Sequence, residues 1–203
     1  MSHAERPRTA ERGMSVVELM IALALVSTVA GLSVASVSTE AMLAQEEAAA
    51  RFLVSQIRQT RQEALRRATT VGIRFEPDGD RIRFRQYADG NGNGLRTREI
   101  ADAVDVALEP PRRLDHDFGG ATFGITSELP PIEAGGDRLG AGDDPIHVGT
   151  SRIISFGPNG RGSSGTVYLR GRGGQQFAVR IFGQTGRVRL LQFRPREAAW
   201  IER

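Results

Sequence analysis

The chain has 203 residues, room for one ordinary domain plus an anchor segment, and 27 basic against 24 acidic residues give it a formal charge of +3. It contains no cysteine, which excludes disulfides and thiolate metal sites, and all of its basic residues are arginine. The small net charge conceals an asymmetry: residues 76–150 hold 15 acids against 8 arginines, net −7, whereas residues 151–203 hold 10 arginines against 2 acids, net +8. A basic C-terminal quarter suits a polyanion partner, or equally the acidic middle of the same chain.

Residues 1–13 form a polar leader with His3, Glu5, Arg6, Arg8, Glu11 and Arg12, whose positive balance favours a cytoplasmic start. From Met14 a nearly uncharged run extends to about Val37, close to the roughly 20 residues that a bilayer core requires. Glu18 is its one carboxylate. An ionised carboxylate in such a run costs on the order of 2.5–3.5 kcal/mol on insertion scales, so it calls for a cationic partner. An ordinary secretory signal fits worse, because its small-residue cut follows the apolar region, whereas Gly13 precedes it.

Gly13-Met14-Ser15-Val16-Val17-Glu18-Leu19-Met20 resembles the class III signal of type IV pilins and type II secretion pseudopilins. The resemblance implies cleavage by a prepilin peptidase between Gly13 and Met14, followed by N-methylation of Met14. Most relatives begin with Phe, so Met14 is a departure. Glu18 would then stand fifth in the mature chain and neutralise the N-terminal amine of a neighbouring subunit, setting the axial register of a fibre.

No proline interrupts Met14 to Thr69, and beyond Val37 the pattern turns amphipathic, with Ala49, Leu53, Ile57, Ala64, Leu65 and Ala68 near one face. The spacing predicts one continuous helix of about 55 residues, on the order of 80 Å at 1.5 Å per residue. Its first half suits lipid or a filament core, and its second half a sheet. Val71–Phe75 and Ile82–Arg85 alternate apolar and polar residues around Pro77-Asp78-Gly79-Asp80, which predicts a β-hairpin. Val104–Leu108 and Ala121–Ile125 are strand candidates between proline- and glycine-rich loops. Arg152–Phe156, Gly165–Leu169, Gln176–Phe182 and Arg187–Phe193 read as four further strands. The tail Arg194–Arg203, with the single Trp200, covers a sheet edge or remains mobile.

The expected fold is therefore α+β: a long N-terminal helix packed on an antiparallel β-sheet domain. This order, with Phe156-Gly157-Pro158-Asn159-Gly160 and the closing Gly183-Gln184-Thr185-Gly186-Arg187-Val188-Arg189, resembles the GspH/FimT group of minor pilins and pseudopilins. The resemblance implies a type IV pilin-like fold. Its divisions would be the leader 1–13, a transmembrane or filament-core half-helix 14–39, and a periplasmic globular domain 40–203. It further implies a single-pass protein of the bacterial inner membrane that joins other minor pilins or pseudopilins in a pilus or pseudopilus.

Two arrangements could bind something. Asp89, Asn91 and Asn93 place oxygen donors at alternate positions with Gly94 sixth, like the first half of a calcium loop. The twelfth position is Ile100, however, and Glu99 comes one residue early, which favours a glycine-rich turn. On a strand, Arg187 and Arg189 share one face at about 7 Å, near the spacing of successive phosphates along a nucleic-acid strand. In DNA-uptake minor pilins of the resembled group, a Gly-Arg-x-Arg element has been implicated in DNA binding. That role carries over to Arg187 and Arg189, with Arg161, Arg170, Arg172 and Arg180 as electrostatic support; a solvated strand face is the plain alternative.

Catalysis finds no support. His3 lies in the leader, His116 and His147 lie in acidic loop-like stretches, and adjacent members of Asp115-His116-Asp117 point apart in an extended chain. The sequence thus reads as a structural subunit without a cofactor, assembling or priming a fibre for protein secretion. A DNA-binding subunit for uptake in natural transformation is the alternative.

Overall fold

The computed structural model describes residues 15–133 and 135–203, except for the side chains of residues 29–41. The chain divides into two compact units, Met1–Glu40 and Ala41–Arg203. Helix α1 (Val16–Arg67) crosses that boundary as 52 consecutive helical residues. Within the second unit its buried positions are Glu46, Ala49, Ala50, Leu53, Val54, Ile57, Thr60 and Ala64, a stripe at helical spacing. Two residues expected on that stripe lie off it. Leu65 is exposed, and Ala68 has left the helix with φ of 53°, the left-handed cap that ends it.

The predicted hairpin forms as β1 (Val71–Asp78) and β2 (Arg81–Ala88), paired from Val71↔Ala88 to Asp78↔Arg81. A short helix α2 (Thr97–Ala101) follows, then the two-residue strands β3 (Val106–Ala107) and β4 (Arg112–Arg113), both paired to β2. One helical turn, α3 (Leu114–Asp117), leads to β5 (Thr122–Phe123) and, after a long loop, β6 (Ile146–His147). The remaining strands are β7 (Ile153–Phe156), β8 (Gly165–Arg170), β9 (Gln176–Phe182), β10 (Arg187–Arg194) and β11 (Ala199–Glu202).

They make two antiparallel sheets. The first has the order β3-β2-β1-β7, with β4 also on β2; the second runs β11-β10-β9-β8-β5, with β6 also on β8. Both sheets bury their inner faces with the α1 stripe: Leu53 and Ile57 share a core with Ile73, Phe75, Phe156, Val179 and Ile181. At roughly 25 cal/mol per Å² of apolar surface, burying each large side chain contributes about 1.5–3 kcal/mol. A buried polar bridge, Gln86 Nε2 donating to Thr60 Oγ1 at 3.1 Å, joins β2 to the helix across this core.

The outer face of the second sheet has a smaller core of its own, in which Ile125, Leu129 and Leu139 cover Tyr168, Ala178 and Leu191. The loop after β5 thus covers this face of the sheet. Of the two fates expected for the tail, the structure selects edge coverage. Strand β11 pairs with β10 from Leu191↔Glu202 to Arg194↔Ala199, and the Trp200 indole donates to the Pro130 carbonyl at 2.9 Å.

No helix among the described residues is long and apolar enough to cross a membrane. The described side chains of the N-terminal apolar run end at Thr28, short of the roughly 20 residues a span takes.

Candidate functional site

Arg187 and Arg189 stand at the start of β10, directly after the turn Gly183–Gly186. Gly186 is buried with φ of 66°, a conformation that favours glycine. Arg61 of α1 lies across this turn. A Cβ on Gly186 would fall 2.3 Å from Arg61 Nε, and the same nitrogen donates to the Gly160 carbonyl at 3.0 Å. One helix side chain thereby ties two glycine turns together and fixes where β10 begins.

Val188 and Leu190 point into the core, which turns Arg187 and Arg189 to the opposite face. Arg187 is the more open, with its side chain 67% exposed against 37% for Arg189. Neither stands alone. The Glu202 carboxylate, brought in by β11, accepts a hydrogen bond from Arg189 Nη2, and Arg187 Nη2 lies 3.8 Å from its other oxygen. The Arg189 hydrogen bond, against the opposing effect of lost hydration, holds the Glu202 carboxyl below its ordinary range, and the charges of Arg189 and Arg187 add to this. Directly across the ladder from Arg189, Arg180 is taken by Glu133 in a two-point pair at 3.0 and 2.9 Å. The sequence reading missed Glu202 and Glu133 as partners. Glu202 lay in a tail with no strand periodicity, and Glu133 lay in a loop.

Beside Arg189 the sheet edge and α1 enclose a groove of about 380 Å³, lined by Arg51, Arg58, Arg189, Glu202 and Arg203 among others. Arg51 is held by Glu47 at 2.6 Å, whereas Arg58 and Arg203 have no carboxylate within 4.0 Å among the described residues. Their arrangement could have been sought in the sequence only by knowing that the Arg51–Gln62 face of α1 meets the end of β11.

At the glycine-rich loop, Asp89 turns its oxygens inward. Oδ1 accepts from the Asn91 and Gly92 N–H groups at 3.1 and 2.8 Å, and Oδ2 from Gly94 N–H at 2.7 Å. Burial pushes this carboxyl upward, but the N–H groups of Gly94, Asn91, Gly92 and Asn93 outweigh it, and its pKa ends below the ordinary value. Asn91 Oδ1 faces Asn93 N–H at 3.3 Å, and Asn93 Nδ2 donates to Glu99 at 2.9 Å. These donors build a turn, and among the described residues no group of three or more His, Cys, Asp or Glu side chains could hold an ion. In the Asp115-His116-Asp117 segment, Arg113 and Arg112 take the two carboxylates, each at 2.7 Å.

At the other end of the chain, Gly13 and Met14 lie outside the described residues. Glu18 sits in the first turn of α1, where a carboxylate complements the helix dipole. Around it Val16, Val17, Leu19, Met20, Ile21, Leu23, Leu25 and Val26 are all more than half exposed.

A family model described as Type II transport protein GspH matches residues 49–186, well over half of the chain. The protein belongs to the GspH family. GspH proteins are minor pseudopilins or pilins of type II secretion, structural subunits that associate with other pseudopilins in a fibre of the cell envelope. The matched span contains the lower part of α1, both sheets up to the start of β10, and the turn at Gly186. It ends just before Arg187 and begins after Glu18, so the two ends of this GspH chain that carry its candidate sites rest on their own geometry. No curated protein and no solved structure matches the chain.

Proposed function

We propose that this GspH-family chain is an assembly or priming subunit of a type II secretion pseudopilus or type IV pilus. A prepilin peptidase cuts it between Gly13 and Met14 and Met14 is methylated. Residues 14–39 hold it in the inner membrane and later in the fibre core, and the unit from Ala41 onward lies in the periplasm. One observation carries this reading: the first turns of α1 present apolar side chains on every side, with the single carboxylate Glu18 among them. A helix apolar all round needs lipid or other helices as its surroundings. A carboxylate there requires a cation, and the N-terminal amine of a neighbouring subunit supplies one.

The test is incorporation. Glu18→Gln should still reach the membrane yet enter fibres poorly in a pull-down with the other pseudopilins, and Gly13→Ala should leave the leader attached. Normal incorporation of Glu18→Gln would sink the register argument, and a shortened Gly13→Ala product would sink the cut site.

A second reading, DNA binding by Arg187 and Arg189, is favoured by their shared outward face and by the nearby Arg58 and Arg203, which have no carboxylate within 4.0 Å among the described residues. Such contacts would be made to phosphates, independent of sequence and sensitive to salt. Glu202 competes for the same guanidiniums, so binding has to displace an internal ion pair. The full chain in neutral detergent, titrated with a labelled oligonucleotide over a salt series, tests it. Loss of binding in Arg187→Ala/Arg189→Ala is expected, and absence of binding at low salt overturns it.

A further inference from the structure

We propose that the groove between α1 and the β10–β11 edge is a binding site for a phosphate-type oxyanion, gripped chiefly by Arg58 and Arg203. Three separate elements supply its positive charge: α1 gives Arg51 and Arg58, β10 gives Arg189, and the residue after β11 gives Arg203. Against these four guanidiniums the lining holds one side-chain carboxylate, Glu202, which is already engaged by Arg189 and Arg187. Among the described residues Arg58 donates only to the Val188 carbonyl, at 3.5 Å, the long limit of a hydrogen bond. Arg203 donates to the neutral Gln192 amide at 2.7 Å. Arg189 Nε is buried and has no acceptor among the described residues, and a buried donor left without a partner costs free energy until something accepts from it.

Like charges gathered around a concave wall raise the local potential and favour an anion there. The direction of approach narrows its chemistry. A planar carboxylate matches a single guanidinium fork, whereas a tetrahedral oxyanion offers acceptors to forks arriving from several sides. Two sources share this chemistry: free phosphate, and the phosphodiester backbone of a nucleic acid. The site does not depend on DNA being bound through Arg187.

The experiment uses the full chain in neutral detergent micelles. Inorganic phosphate is titrated by calorimetry in one arm, and a labelled single-stranded oligonucleotide by anisotropy in the other. Arg58→Gln/Arg203→Gln is compared with Arg96→Gln/Arg98→Gln, which removes the same charge at two exposed side chains elsewhere. Both replaced groove side chains are exposed, so folding should survive, and a circular-dichroism melt confirms it; Arg203→Gln alone serves if the pair does not fold. Saturable phosphate binding that weakens about tenfold or more in the groove variant, and less than about twofold in the control, is expected. Parallel loss in the oligonucleotide arm identifies the phosphodiester as a ligand, and loss confined to the first arm identifies free phosphate. No saturable phosphate binding by the folded wild type, or equal loss in both double variants, overturns the proposal. Oligonucleotide binding that survives Arg58→Gln/Arg203→Gln but not Arg187→Ala/Arg189→Ala would place the nucleic acid outside the groove, leaving free phosphate as the groove's ligand and the DNA reading intact.

Discussion

Gly186→Ala should destabilise the second unit through both backbone strain and a displaced side chain. At φ of 66° an L side chain costs about 1–2 kcal/mol relative to glycine. The new Cβ would also lie 2.3 Å from Arg61 Nε and 2.7 Å from its Cδ and Cζ, so the guanidinium must move. Moving it forfeits the 3.0 Å hydrogen bond to Gly160, worth roughly 1 kcal/mol. Together these come to about 2–3 kcal/mol, and at about 2–4 °C per kcal/mol for a unit of this size Tm should fall by roughly 4–12 °C. The assay is a thermal melt of the full chain in neutral detergent, followed at a β-sheet wavelength. Arg61→Ala separates the two contributions. In that background the clash is gone, so the double variant should be less destabilised than the sum of the singles by about 1 kcal/mol. A Gly186→Ala melt within about 1 °C of wild type would refute the strain argument, and strict additivity would refute the role given to Arg61.

Three further outcomes are expected. Asp89→Ala strands the N–H groups of Asn91, Gly92 and Gly94, and should lower stability by on the order of 3 kcal/mol in a denaturant titration. Glu63 accepts from Arg66 and Arg67, which lower its pKa from 4.5 to about 2. Its contribution is therefore full above pH 4.5 and lost as pH falls towards about 2, and for so exposed a cluster it amounts to only about 0.2–1 kcal/mol. Helix ellipticity melts across that window should show a shallower acid slope for Glu63→Gln, and identical slopes would count against it. Glu202→Gln frees Arg187 and Arg189 from their carboxylate, so any oligonucleotide binding through them should tighten, by up to about fivefold at low salt; weaker binding would mean that Glu202 positions the arginines rather than competing for phosphate.

How much was legible in the sequence varied with the range of the interaction. Local patterns did well: the long helix, the hairpin around Gly79, and the four C-terminal strands each announce themselves through periodicity and turn chemistry. Two-residue strands such as β3, β4 and β6 are too short to have a period, and β11 hides in a tail where Trp200 is its only conspicuous residue. Leu65 looked buried because it is apolar, yet the helix turns it away from both sheets.

The amino-acid order by itself therefore determined the longer elements, the family and the outward face shared by Arg187 and Arg189, because each depends on neighbours along the chain. Only the tertiary structure decided what those arginines meet. Glu202 reaches them because β11 pairs with β10, Arg61 pins their turn from more than a hundred residues away, and Arg58 and Arg203 come to one groove from α1 and the segment after β11. Charge partners of that kind are set by sheet order and helix packing, and side chains distant in sequence leave no periodic trace of their meeting.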